Sequence, residues 1–115
     1  MTVIDEIAAE RARQISAEGW TAEHDDGHAK GDLARAAASY ALWGTGVPLN
    51  GQRHVGSFRT EPYSIWPWSG EWWKPRDRRR NLVKAGALIV AEIERLDRAA
   101  LSSEPHERTA GDQVR

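Results

Sequence analysis

The segment that decides the fold is the longest helical pattern in the chain, residues 76–100, which read RDRRRNLVKAGALIVAEIERLDRAA. Its apolar residues recur at intervals of three and four, the spacing of one face of an α-helix. That predicted inner face comprises Leu82, Ala85, Ile89, Ile93 and Leu96. Gly86 stands between two alanines, which predicts a close crossing with a second helix.

Two further helices are predicted on the N-terminal side of this segment. Residues 2–18 carry a helical ladder, with Thr2 as a candidate N-cap and Gly19 as a stop signal. Residues 32–43 are rich in alanine, which favours helix. Asp32 is the candidate N-cap of that second helix.

Arg11 interrupts the ladder of the first helix. The apolar positions of that ladder are Val3, Ile4, Ile7, Ala8 and Ile15. One interpretation is an arginine at the edge of the core with its charged end in water. The other is a partly buried arginine directed at a carboxylate or a phosphate. The first interpretation is slightly favoured.

The remaining segments have no helical period. Residues 20–31 are predicted to be a loop. Residues 44–74 form a long Trp/Pro-rich loop in which residues 52–59 are a candidate β-hairpin. The predicted fold is therefore mainly α, a compact three-helix domain over residues 1–101, with a disordered polar tail over residues 102–115.

Composition narrows the classes of function. The chain has 115 residues, no cysteine and a net charge of −1. Disulfides and thiolate metal sites are excluded, and the charge disfavours nucleic-acid binding. The longest strongly apolar stretch, residues 85–91, is too short to span a membrane. Because the N-terminus shows no basic region followed by an apolar run, we expect a cytoplasmic protein.

The first candidate site is the sequence EHDDGH, residues 23–28. The plainest interpretation is local, with an aspartate capping the next helix and the histidines satisfied nearby. A second interpretation is ligand recognition, with the carboxylates accepting hydrogen bonds from hydroxyl or amino groups. A third is a divalent metal site formed by His24, Asp25, Asp26 and His28.

The second candidate site is an aromatic cluster within residues 66–75, which contains Trp66, Trp68, Trp72 and Trp73. In an extended segment, alternate side chains point to opposite faces. We therefore expect Trp72 and Trp73 to diverge. A core role is expected for two of the four rings, and the others are candidates for stacking on a base.

The third candidate site is the basic start of the last helix, KPRDRRRN at residues 74–81. Free N–H groups and the positive end of the helix dipole favour an anion there. Arg78 and Arg79 are the predicted phosphate contacts. The alternative is an ordinary solvated face of the helix.

Two blocks of the sequence, RQISAEGWTAEHDDGH at 13–28 and the segment 66–98 beginning WPWSGEWWKP, resemble a family of short bacteriophage and prophage proteins. The resemblance to that family implies no activity for this chain. The chain also resembles the ryanodine-receptor-type repeat domain through Arg11 or Arg13, Gly19, Trp20 and the aspartates at 25 and 26. This second resemblance implies a small helical module for a nucleotide-like ligand. The chain departs from that domain at His24, where a glycine is expected, and in its tryptophan-rich segment.

Together these features predict a phage-type protein that binds an anionic, nucleotide-derived small molecule in the host cytoplasm. By analogy, it would sequester a host defence signal. The predicted ligand contacts are Arg11, Trp20, His24, Asp25, Asp26, His28, Trp66, Trp68, Trp72, Trp73, Arg78 and Arg79. No cofactor and no catalytic residue are assigned.

Two alternatives remain open. The first is a nucleotide hydrolase that uses a divalent metal at the EHDDGH segment. The second is an interaction protein, a homo-oligomer joined through the Ala/Gly faces of its last two long helices and anchored by tryptophans.

Overall fold

The computed structural model describes residues 1–28, 30–45 and 65–103. These residues form four α-helices and one 3-10 helix and contain no β-strand, which confirms the mainly α prediction. The elements are α1 (Val3–Glu18), α2 (Ala22–Asp26), α3 (Asp32–Leu42), the 3-10 helix (Gly70–Trp72) and α4 (Arg78–Ser103). The candidate hairpin at 52–59 and residues 104–115 of the predicted tail lie outside the described residues. The first two residues of that tail, 102 and 103, belong to α4, so the tail prediction is wrong there.

The ends of α1 follow the predicted signals. The Thr2 side chain accepts a hydrogen bond from the Asp5 backbone N–H, and the Asp5 carboxylate accepts one from the Thr2 N–H. This reciprocal pair is a capping box that satisfies free donors at the helix start. Gly19 ends the helix in the left-handed conformation at φ 75°, which an L side chain rarely adopts.

The segment predicted as a loop over 20–31 contains the short helix α2, so the loop prediction is wrong over Ala22–Asp26. Thr21 explains the difference, because its hydroxyl accepts a hydrogen bond from the His24 N–H and caps the turn. Asp32 is the first residue of α3, and the N-cap position belongs to Gly31. The carboxylate of Asp32 instead contacts His28.

Helices α3 and α4 pack together through small and apolar side chains. Leu33 and Leu88 are fully buried, and Tyr40 stacks on Trp73 with 4.8 Å between ring centroids. The core is completed by Trp20, Ala36, Ala37, Trp66, Ala85 and Ala91. The alanine faces predicted to join two subunits are therefore buried within one chain.

The predicted inner face of α4 is wrong at four of its five positions. Ala85 is buried, but the four large aliphatic residues of that face are 44–52% exposed. These are Leu82, Ile89, Ile93 and Leu96. The face that packs inward carries the alanines, because small side chains let α3 approach closely and so bury more of its own apolar surface.

Helix α1 packs against α4 with its polar face. Its buried residues are Glu10, Arg11 and Gln14, while Val3 and Ile4 are 56% and 73% exposed. The favoured interpretation of Arg11 as an edge residue is therefore wrong. The close crossing predicted at Gly86 is confirmed, since a Cβ there would lie 3.0 Å from Ile7 Cδ1. None of the helices in the described ranges is long and apolar enough to cross a membrane.

Candidate functional site

A buried ion pair fixes the loop after α1. Arg11 Nη2 donates to Asp25 Oδ2 at 2.9 Å, and Arg11 Nη1 donates to the Trp20 carbonyl at 3.1 Å. Asp25 is fully buried, and only 9% of the Arg11 side chain is exposed. The pair therefore holds α2 and Trp20 in place, and neither side chain lines the cavity described next.

An aromatic cavity of about 340 Å³ opens beside α2. This volume lies within the range of small-molecule sites, roughly 300–1,000 Å³. The ring centroids of Trp20 and Trp68 are 5.5 Å apart, and the Trp20 ring stacks on the His24 ring at an interplanar angle of 10°. The cavity is lined by Glu18, Trp20, His24, His28, Trp68, Ser69 and Trp72.

Two histidines lie side by side in the wall of the aromatic cavity. His24 lies in α2, and the backbone N–H of His28 donates to the Asp25 carbonyl, which extends the helical turn. The two Nε2 atoms are 3.3 Å apart. Each Nδ1 contacts a carboxylate, Asp25 Oδ1 at 3.1 Å for His24 and Asp32 Oδ2 at 3.0 Å for His28.

A basic cavity of about 450 Å³ adjoins the aromatic one, and Glu18 lines both. Lys74 marks the boundary, because its Nζ lies 3.3 Å from Glu18 Oε1 and 5.5 Å from the centre of the Trp72 ring. The cavity is lined by Arg13, Glu18, Lys74, Pro75, Arg76, Arg80 and Lys84. Five cations against one carboxylate make this cavity attractive to an anion.

The charged groups around the basic cavity shift each other's pKa. Burial lowers the pKa of Lys84 to about 8, although the charge of Glu10 works in the opposite direction. Burial by itself would raise the pKa of Glu10, but hydrogen bonds and charges from Arg13 and the charge of Arg80 lower it overall. Within the described residues, the guanidinium of Arg76 makes no ion pair.

The structure brings together five of the predicted contact residues and separates the other seven. Trp20, His24, His28, Trp68 and Trp72 line the aromatic cavity. Trp66 and Trp73 are 7% exposed and belong to the core. Trp72 is 42% exposed, so Trp72 and Trp73 diverge as predicted.

The remaining predicted contacts are charged residues engaged elsewhere. Asp26 pairs with Arg98 at 2.9 Å on the far side of α2. Arg78 donates to the carbonyls of Ala41 and Trp43, and Arg79 forms an ion pair with Glu6. Arg11 and Asp25 form the buried pair described above. The cations that face a cavity are therefore others than those the sequence indicated.

Sequence reasoning found the main segment of the basic cavity but named none of its five cations as a contact. Arg13 comes from α1, Lys74 and Arg76 from the segment before α4, and Arg80 and Lys84 from α4. The segment at 74–81 signalled a basic site, but the partners from α1 and from the second turn of α4 depend on how these helices pack. No sequence pattern indicated that Glu18 or Ser69 would line a cavity.

Within residues 1–28, 30–45 and 65–103, no group of three or more His, Asp or Glu side chains is arranged to hold a metal ion. Comparisons of the chain with models of protein families, with curated proteins and with solved structures give no match. The function is therefore argued from the two cavities and their residues.

Proposed function

We propose that the protein binds an anionic, nucleotide-derived small molecule across the two adjoining cavities. The observation that carries this proposal is the contact of an aromatic cavity and a basic cavity at Glu18. A nucleotide has the same two parts, a planar ring and a negatively charged phosphate group. Its ring would occupy the aromatic cavity and its phosphates the basic one.

The aromatic cavity suits a base because it offers ring faces on several sides. Trp72 is the best candidate for direct stacking, since 42% of its surface is exposed beside the cavity. Base–aromatic stacking contributes roughly 1–3 kcal/mol per base. Trp20 and Trp68 are more buried and would form the inner wall.

The basic cavity suits phosphates because its arginines offer planar forks of donors. Arg13 and Arg80 are fixed by ion pairs to the buried carboxylate of Glu10, which holds them near the cavity at some cost in net positive charge. Arg76 is exposed and lines the same cavity, so we take it as the main phosphate contact. Glu18, at the boundary, is positioned to accept hydrogen bonds from ribose hydroxyls.

The test is native mass spectrometry of the protein after incubation, with a chelator present, in a deproteinised extract of phage-infected cells. The proposal predicts a bound mass in the nucleotide range that is lost in Trp72→Ala and in Arg76→Ala. Both residues are exposed, so neither change threatens the fold. Lys30→Ala is the charge-matched control, because Lys30 is an exposed cation that lines neither cavity. Absence of any such mass from wild type, or its equal loss in Lys30→Ala, would overturn the proposal.

The biological role that fits such binding is sequestration of a nucleotide signal in the host cytoplasm. We base this on the resemblance of the chain to phage proteins and on the rings and cations of the two cavities, which suit the binding of a nucleotide. Release of an unaltered ligand mass on denaturation would support sequestration. Release of a hydrolysed product would contradict it.

A second candidate role is self-association, favoured by the exposed apolar face of α4. Four large aliphatic residues, Leu82, Ile89, Ile93 and Leu96, are about half exposed along one side of the helix. We assign this face to a second copy of the chain because the four side chains recur along one side of α4, so two α4 helices would bury them against each other.

Light scattering on the purified protein tests this assignment. We expect twice the chain mass for wild type and the single-chain mass for Ile93→Glu. Ala34→Glu is the control, since it adds the same charge at an exposed position on α3. A monomeric wild type, or an unchanged dimer in Ile93→Glu, would count against the second copy.

A further inference from the structure

His24 and His28 hold their ring nitrogens in an arrangement that calls for a cation between them. The argument starts from the Nδ1 atoms, each of which lies 3.0–3.1 Å from a carboxylate oxygen. A carboxylate only accepts hydrogen bonds, so each Nδ1 must carry the proton. A neutral imidazole with its proton on Nδ1 has an unprotonated Nε2.

The two Nε2 atoms therefore present lone pairs to each other across 3.3 Å. Two lone pairs at that distance repel unless a proton or a metal ion lies between them. Trp68 Nε1–H also approaches His28 Nδ1, but at 3.4 Å it is a poorer partner than Asp32 at 3.0 Å. The hydrogen bond to Asp32 therefore sets the tautomer of His28.

The distance between the Nε2 atoms fits tetrahedral metal coordination better than right-angled coordination. A tetrahedral zinc ion with Zn–N bonds of about 2.0–2.1 Å requires its two nitrogens to lie about 3.3–3.4 Å apart. Right-angled sites, square-planar or octahedral, would bring the same two nitrogens to roughly 2.8–3.0 Å. The observed 3.3 Å matches the tetrahedral value.

Asp25 and Asp32 supply the carboxylates that usually accompany metal-binding histidines. Metal-binding histidines usually donate their other N–H to a carboxylate, which fixes the tautomer and makes the ligand nitrogen more basic. Asp25 fills that role for His24 and is itself held by Arg11 at 2.9 Å. Asp32 fills it for His28.

We propose that His24 and His28 bind a zinc ion through their Nε2 atoms, in the wall of the aromatic cavity. The described residues supply no third His, Asp or Glu ligand, so two positions of the tetrahedron face the cavity. Water or an oxygen or nitrogen atom of a bound small molecule fills them. This site is independent of the nucleotide proposal, since it rests on the histidines and their carboxylates alone.

The test is isothermal titration of Zn²⁺ into wild-type protein that has been stripped with a chelator and then freed of it, without nucleotide. Absorption of the Co²⁺-loaded protein reads out tetrahedral geometry. We expect one ion per chain and at least tenfold weaker binding in His24→Ala and in His28→Ala. The side chains of both histidines are partly exposed, so these variants retain the fold. His54→Ala and His106→Ala, which remove the other two histidines of the sequence, serve as controls.

The variant Asp32→Asn tests whether the Asp32 carboxylate orients His28 for metal binding or only stabilises the fold. Loss of the carboxylate that orients His28 is expected to weaken Zn²⁺ binding roughly 10–100-fold while leaving the circular dichroism spectrum unchanged. Wild-type binding no tighter than that of His24→Ala would overturn the proposal and leave a shared proton between the rings. Loss of binding in His54→Ala or His106→Ala instead would overturn it too. Because nucleotide capture is measured with chelator present, failure of one proposal is distinguishable from failure of the other.

Discussion

Helix α4 packs against α1 and α3 with two different kinds of surface. Toward α3 it presents alanines and the fully buried Leu88, and the contact is apolar. Toward α1 the buried groups are Glu10, Arg11 and Gln14, which are held by ion pairs and hydrogen bonds. The apolar contact depends on close packing of complementary shapes, whereas the ionic one depends on the distances and directions of its hydrogen bonds.

The difference bears on the candidate site, which lies where the two regions meet. The ionic contact fixes α2 through Arg11 and Asp25 and holds Arg13 beside the basic cavity through Glu10. The apolar contact supports Trp66 and Trp73, and the segment that carries them also bears Trp68 and Trp72. The polar region therefore positions α2 and Arg13, and the apolar region positions the segment that carries the tryptophans.

The largest expected effect comes from breaking the ionic region at Asp25. Asp25→Ala leaves the buried guanidinium of Arg11 without its main partner, and we expect a loss of about 3–5 kcal/mol in the free energy of unfolding. Urea denaturation measures it. Asp26→Ala is the matched control, because its pair with Arg98 is about half exposed and is worth roughly 0–1 kcal/mol. Equal losses in both variants would show that burial of the Arg11 pair does not matter.

The apolar region is tested at Leu88. Leu88→Ala opens a cavity between α3 and α4, and we expect a loss of about 2–5 kcal/mol. Ile89→Ala, on the next residue and 50% exposed, should cost the single chain less than about 1 kcal/mol because half of its surface is already in water. If the aliphatic residues of the outer face formed the core, the order of the two losses in urea denaturation would be reversed.

A smaller effect is expected at Lys84, a buried cation of α4 that lines the basic cavity. Its pKa is lowered to about 8 from the ordinary value of 10.5, chiefly by burial. Between these values the unfolded chain holds a proton that the folded chain has lost, so stability contributed by Lys84 rises with pH. The pKa of Tyr40, raised to about 12 by burial, acts only above its ordinary value of 10.

We therefore expect the free energy of unfolding of wild type, relative to Lys84→Met, to increase between pH 7.5 and pH 9.5. Methionine keeps much of the apolar stem and removes the titrating amine. Urea denaturation of both proteins at the two pH values gives the difference, in which all other groups cancel. A difference that is constant with pH would mean that Lys84 is as well solvated in the folded chain as in the unfolded one.

The sequence predicts the local features of this protein better than its tertiary ones. The N-cap of α1 at Thr2 and the extent of α3 follow from short-range rules. The short helix α2 is hard to find in the sequence because Gly27 and Gly31 favour a loop, whereas the only signal for a helix is the N-cap residue Thr21.

The inner faces of α1 and α4 could not be predicted from the size of their apolar residues. Close packing of small residues, such as Ala85, decided the orientation of α4 and left Ile89 and Ile93 outside. On α1, the buried pair of Arg11 with Asp25 outweighed the aliphatic ladder. The basic cavity depends in turn on these orientations, since three separate segments contribute to it.

The central claim, that the two cavities form one site for a ring and its phosphates, is tested most directly by isothermal titration with three probes. These are adenosine diphosphate, adenosine and inorganic pyrophosphate. We predict that adenosine diphosphate binds most tightly to wild type, that Trp72→Ala weakens it and adenosine alike, and that Arg76→Ala weakens it and pyrophosphate but not adenosine. Equal binding of adenosine diphosphate by wild type and both variants, or an effect of Arg76→Ala on adenosine as large as on its diphosphate, would contradict the account.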